Sequence, residues 1–193
     1  MCTLKVDSNF LYWLGGFMDG EGSFGISIHK HNKMTLKHQI TMGIEITQAD
    51  CFSDVLYEIR DKLSMGIISH RERNGDAKYP FRNSQTTWRV RKMLHVNQFT
   101  NLIIPYLKAK KEIALKFKTI MEMWNKGEQT TVEGFIKMCE LRDQVNDHRT
   151  KSFSYLNADY FRKYFAENPI SEEALKQAKH YRRRPQYIKK LPV

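Results

Sequence analysis

The sequence predicts an α+β domain in which a four-stranded antiparallel sheet is backed by helices. Three observations predict it: a helix-spaced apolar stripe at 8–19, two stretches of alternating apolar and polar residues that each fold back on themselves, and helical periodicity from about 95 onward. The order is helix, two strands, helix, two strands, then helices.

Ser8 can cap the first helix, which runs to about Asp19 with Phe10, Leu14 and Phe17 as its apolar stripe. From Ser23 the period becomes two, with Phe24, Ile26 and Ile28 on one face and Gly25, Ser27, His29 and His31 on the other. After a polar turn around Asn32 and Lys33, Ile40, Met42, Ile44 and Ile46 point inward and Gln39, Thr41, Gly43 and Glu45 outward, completing a long hairpin with one dry face. Asp50 is placed to cap a second helix, striped by Phe52, Val55, Leu56, Ile59 and Leu63 and ending near Gly66. The second hairpin spans Ile67 to Arg73 and about Ser84 to Met93, joined by a loop that starts at Asn74-Gly75 and contains Pro80. Its polar face carries Ser69, Arg71, Arg73, Gln85, Thr87, Arg89 and Arg91; Ile68, Trp88 and Val90 lie opposite. Helices are expected at about 95–104, 109–126 and 131–146, then a tail with Arg182-Arg183-Arg184 and Lys189-Lys190. This places one domain at 1–150 and a helical C-terminal extension with a basic tail at 151–193. No internal repeat and no second copy of the opening helix is present.

The chain carries 32 Lys and Arg against 21 Asp and Glu, a net charge of +11 and a pI near 9.6, so a polyanionic partner is expected, nucleic acid ahead of an anionic membrane surface. No apolar run approaches the ~18 residues of a spanning helix, and Met1 to Asp7 has no signal-peptide core. The expectation is a soluble protein with no membrane partner, no small-molecule cofactor and no visible targeting signal. Cys2, Cys51 and Cys139 are far apart and lack zinc spacing, which suits free thiols in a reducing compartment.

Adjacent glycines inside a helix cost about 1 kcal/mol each relative to alanine, so Gly15 and Gly16 require a packing reason. With Tyr12 and Asp19 a turn away on either side they form a narrow stripe. A chain with one such stripe finds its economical partner in a second copy, giving a homodimer through Tyr12, Gly15, Gly16 and Asp19; the alternative partner is another helix of the same chain. The helix then ends in Asp19-Gly20-Glu21-Gly22, where glycines permit a sharp exit and oxygen groups gather. Taken alone, such an acidic end is a solvated turn or a hard-oxygen site for Mg²⁺. Gly20 to Gly25 matches a dinucleotide fingerprint by chance, since that motif needs a strand before it and a helix after it.

Leu14 to Gly22 resembles the signature of the LAGLIDADG homing endonucleases, in particular the homodimeric branch encoded in group I introns of organellar ribosomal RNA genes. The likeness extends through His38-Gln39, Thr47-Gln48 and Pro105 to Lys110, over roughly residues 8 to 145. The resemblance implies an αββαββα fold with a saddle-shaped sheet, and Glu21 as a ligand of Mg²⁺ beside the Gly20 carbonyl, with Mn²⁺ or Ca²⁺ able to occupy the site. It makes Asp19 a structural end of the paired helices, Gln48, just past the end of the second strand, a water-positioning residue, and Lys110 a basic residue near the scissile phosphate. Without the resemblance, Lys110 reads equally well as a solvated charge. Two departures stand out: Glu21 occupies a position where Asp is common, and a basic residue of some relatives falls near Cys51 and Phe52. The resemblance also favours an organelle, chloroplast or mitochondrion.

On this reading Ser27, His29, His31, Lys33, Gln39, Thr41, Glu45, Ser69, Arg71, Arg73, Gln85, Arg89 and Arg91 face double-stranded DNA, mixing donors and acceptors as base-edge readout requires; an ordinary wet sheet face is the alternative. A ten-residue strand spans ~33 Å, about one turn of B-DNA, so two copies cover on the order of 20 bp of a pseudo-palindromic site. The expected activity is metal-dependent hydrolysis of one phosphodiester in each strand, with Glu21, Gln48 and Lys110 in the site; the alternative is a non-cleaving module of the same fold, an intron RNA maturase or a transcription regulator.

Overall fold

The computed structural model describes residues 6–72, 84–146 and 155–181. Helix α1 (Ser8–Glu21) leads into β1 (Gly22–Lys30) and β2 (His38–Ala49); a 3-10 turn (Asp50–Phe52) and α2 (Asp54–Leu63) precede β3 (Ile67–Arg71) and β4 (Gln85–Val90). Helices α3 (Met93–Ile103), α4 (Lys111–Lys126), α5 (Val132–Asn146), α6 (Ala158–Glu167) and α7 (Glu172–Tyr181) complete the chain. The four strands form one sheet in the order β1-β2-β4-β3, with β4 antiparallel to both neighbours. The α+β architecture expected from the alternating periods is therefore present.

Local differences have physical causes. Asp7, not Ser8, holds the N-cap of α1, without a side-chain cap bond, and the helix continues through Glu21, two residues past Asp19. His31 and Lys33 lie in the turn after β1, where the His31 N–H donates to the Lys37 carbonyl, 2.8 Å. Gln48 is inside β2, opposite Thr86, instead of beyond its end. Asp50 caps no helix: Ser53 precedes α2, while the Asp50 carboxylate accepts from Thr86 Oγ1, 2.7 Å, and pairs with His70 Nδ1, 3.2 Å. That leaves Phe52 68% exposed and narrows the buried stripe of α2 to Leu56, Ile59 and Leu63. Strand β4 stops at Val90, so Arg91 follows it and Met93 opens a helix. Arg73, Asn74-Gly75, Pro80 and the basic clusters of the tail lie outside the described residues.

The chain divides into two compact units, 1–25 with 42–114 and 26–41 with 115–193. In the first, Leu14, Met18, Ile44, Ile46, Leu56, Ile59, Leu63, Trp88, Val90 and Phe99 are buried, one face of each strand and helix contributing. Gly66, at φ +84°, lets the chain pass beneath Trp88, whose Nε1–H donates to the Met65 carbonyl, 2.9 Å. In the second unit Phe117, Ile120, Phe135, Phe161 and Phe165 are buried, and Arg142 ties Asp143 and the Leu156 carbonyl together ahead of α6. His38, the buried first residue of β2, lies edge-on to Phe161 and Tyr164, its Nδ1 3.1 Å from the Leu36 carbonyl. Among the described residues no helix is long and apolar enough to cross a membrane.

Candidate functional site

Helix α1 separates its work by face. Leu14, Gly15 and Met18 are buried, while Tyr12 is 69% and Trp13 42% exposed. A Cβ at Gly16 or Gly20 would meet none of the described residues within 4 Å, so the two line one open face with the largely exposed Tyr12, whose ring also meets Tyr106 edge-on. Gly15 points elsewhere. A Cβ there would stand 2.7 Å from Tyr106 Cβ and 2.8 Å from its carbonyl carbon, with the carbonyl oxygen nearer still. Of the two glycines expected to face a second copy, Gly15 is turned toward Tyr106 of its own chain and Gly16 looks outward, because successive helical residues are turned ~100°.

The acidic end is anchored by the turn before α4. The Asp19 carboxylate accepts the backbone N–H groups of Lys108, 2.7 Å, Ala109, 3.1 Å, and Lys110, 2.8 Å. Burial pushes this carboxyl up, but the three N–H groups and the Lys110 charge outweigh it and hold Asp19 below the usual carboxylate range. Asp19 thus holds the turn just ahead of α4, whose first residue is Lys111, by an engagement within one chain. The Lys110 ammonium donates to the carbonyls of Met18, 3.0 Å, Gly20, 3.2 Å, and Gly22, 2.7 Å, covering the negative end of α1. Gly22 leaves the helix extended, and any Cβ there would meet Met18 Cε at 2.6 Å.

Glu21 is exposed beside Gly20. A carboxylate and a carbonyl are hard-oxygen donors that fit Mg²⁺ or Ca²⁺ in kind. Among the described residues no group of three or more His, Cys, Asp or Glu side chains gathers that could hold a metal ion by itself. Lys110 is brought directly to the motif. Gln48 stands near the end of β2, and Ser23 Oγ reaches the Glu45 carbonyl, 3.4 Å, so β2 ends toward the side of the sheet where β1 begins.

On the polar side of the strands, Ser27 and His29 are exposed and Gln39 and Thr41 half-buried, Thr41 Oγ1 donating to the Ser27 carbonyl, 3.4 Å. Glu45 Oε1 accepts from Arg89 Nε, 2.6 Å, and Arg91 Nη2, 3.2 Å. Thr47 and Thr87 share a hydroxyl hydrogen bond of 2.9 Å, and Ser69, Gln85 and Arg71 continue this face. Sequence reasoning missed three features: the carbonyl cup around Lys110, the caged His38, and Ile67, 61% exposed in register with Arg89. Only the last had a local signal, since Ile67 shares the parity of Ser69 and Arg71.

The family model described as LAGLIDADG endonuclease matches residues 14–123. The DNA endonuclease I-CreI of Chlamydomonas reinhardtii is 24% identical over 150 residues, covering 76% of this chain and 85% of that protein. Among solved structures, the homing endonuclease I-CvuI in complex with its target and Ca superposes with a TM-score of 0.68 at 19% identity, over 82% of this chain and 94% of that one. The group I intron-encoded homing endonuclease I-CeuI complexed with DNA gives 0.70 at 19%, over 84% and 79%. With the family model spanning more than half of the chain and the helix, sheet and acidic end all in place, the chain belongs to the LAGLIDADG endonuclease family.

Proposed function

We propose that the protein is a sequence-specific double-strand DNA endonuclease, working as a homodimer on a long pseudo-palindromic site and dependent on a divalent metal. The observation that carries this is the end of α1, where the Gly20 carbonyl, next in the chain to exposed Glu21, accepts from the Lys110 ammonium, 3.2 Å. Such a carboxylate facing phosphates serves no purpose in a pure binder, and the named relative is a DNA endonuclease.

Glu21 and the Gly20 carbonyl would hold Mg²⁺, with Mn²⁺ or Ca²⁺ as substitutes. The bound metal would supply Lewis-acid activation of water and phosphate. Lys110 places fixed positive charge where negative charge grows on the phosphate, and its carbonyl partners orient it before substrate arrives. Gln48 orients the attacking water. The polar strand face supplies sequence readout in the major groove, through Ser27, His29, Gln39, Thr41, Ser69, Arg71, Gln85 and Arg91. The open face of Tyr12, Gly16 and Gly20 takes a second copy, which doubles the site and matches the two strands of DNA.

The test is Glu21→Gln with targets selected from a randomised DNA library, measured with and without Mg²⁺. Cleavage should disappear while binding persists; cleavage at the wild-type rate would overturn the assignment. A wild-type protein that binds but never cuts would instead establish the non-cleaving alternative.

A further inference from the structure

Glu45, Arg89 and Ile67 stand in one row across β2, β4 and β3, because Glu45 pairs with Arg89 and Arg89 with Ile67. All three share the polar face, since the intervening Ile44, Ile46, Trp88 and Val90 are buried. Within the row, Arg89 turns its Nε and Nη2 to the Glu45 carboxylate, 2.6 and 3.5 Å. That edge of the guanidinium is one of the two that can form a two-pronged contact with guanine, and here it is engaged within the chain. The opposite charges of Arg89 and Glu45 also offset one another, leaving the row less attractive to phosphate than the chain's net charge of +11 suggests.

Ile67 completes the row at the edge of the sheet. Among the described strand residues it is the one large aliphatic side chain left exposed, with Ser69 and Arg71 following it on the same face. A single exposed aliphatic residue is ordinary on a protein surface, and β-branched residues favour strands. Its place is not ordinary: it projects from a face whose neighbours are hydrogen-bonding groups, beside an arginine already engaged. The major groove offers one apolar feature to such a side chain, the 5-methyl of thymine. Isoleucine is stiff at χ1, so the contact surface is set before DNA arrives.

We infer that Ile67 is a specificity-determining residue that reads a thymine methyl in the DNA target; this rests on the DNA-endonuclease reading above. In the selected target each thymidine is replaced in turn by deoxyuridine, which keeps its base pairing and lacks the methyl. Affinity is read by fluorescence anisotropy in Ca²⁺ for the wild type and Ile67→Ser. At one position per half-site the wild type should bind deoxyuridine about four-fold more weakly, the change that burial of one methyl corresponds to. Ile67→Ser should bind both forms equally there. No sensitive position, or a difference that survives in Ile67→Ser, would overturn the inference. Should Ile67→Ser fail to fold by circular dichroism, Ile67→Ala takes its place with the same expected equality. A library from which no DNA is enriched would refute the DNA-endonuclease reading itself, whereas enriched targets indifferent to the methyl refute only the role of Ile67.

Discussion

Adding one methyl at either of two adjacent glycines separates the two faces of α1. Both Gly15→Ala and Gly16→Ala gain about 1 kcal/mol in helix propensity, so this contribution cancels between them. They differ in what the methyl meets. At position 16 none of the described residues comes within 4 Å, whereas at position 15 the new carbon would stand 2.7 Å from Tyr106 Cβ and closer to the Tyr106 carbonyl oxygen. Backbone in the 104–106 turn cannot swing aside as a long side chain can, and overpacking of this kind costs about 1–3 kcal/mol. Gly15→Ala should therefore be less stable than Gly16→Ala by roughly that amount, with the first near or below wild type and the second above it. Urea unfolding followed by circular dichroism measures this, repeated over a range of protein concentrations because a dimer's stability depends on concentration. At the lowest concentration Gly16→Ala should retain its gain; at high concentration it should lose part of it if the open face meets a second copy. Equal midpoints for the two variants would refute the division of faces.

Replacing Asp19 by Asn removes the charge that accepts three N–H groups and should cost about 1–2 kcal/mol. Because the folded carboxyl lies below its ordinary value of 3.8, its stabilisation is present above that value and is lost as pH falls through the folded pKa; acid unfolding of Asp19→Asn should show less of this loss. Burial lowers the His38 imidazole below its ordinary 6.5, with the Leu36 carbonyl pulling it back and Lys30 lowering it further. The unfolded chain therefore takes up a proton first, so stability falls as pH drops below about 6.5, and His38→Gln should flatten the urea midpoint in that window. Burial also pushes the Cys139 thiol up to about 12, so a thiol reagent at pH 8 should label exposed Cys51 in the native protein and reach Cys139 only in denaturant, as peptide mapping would show.

The order of elements was legible because it rests on period: Phe24, Ile26 and Ile28 alternate, Leu56, Ile59 and Leu63 recur at helical spacing, and burial follows both patterns. Glu21 was singled out by the acidic end of the helix and by the family pattern, Lys110 by the family pattern alone; that Lys110 reaches the Met18, Gly20 and Gly22 carbonyls had no local signal. What stayed hidden depends on distance along the chain. Asp50 looks like a helix cap locally, and only the return of β4 brings Thr86 to its carboxylate. Asp19 looks like an interface residue until the 108–110 turn arrives, and His38 looks like a polar strand residue until α6 closes over it. In each case a polar side chain chose a partner 36 to 123 residues away, which no window of helical or strand period can contain.

The motif's spacing follows from these attachments. Leu14, Met18 and the bare Gly22 recur every four residues on the inner side, Tyr12, Gly16 and Gly20 every four on the outer, so one helix presents two parallel lines with different demands. Inward, small size is needed at Gly15 and Gly22, where Tyr106 and Met18 leave no room. Outward, small size at Gly16 and Gly20 is not demanded by any of the described residues, and the helix loses stability by having it. That cost has no return among the described residues, and the second copy proposed above, bringing its own α1 against this face, would supply one.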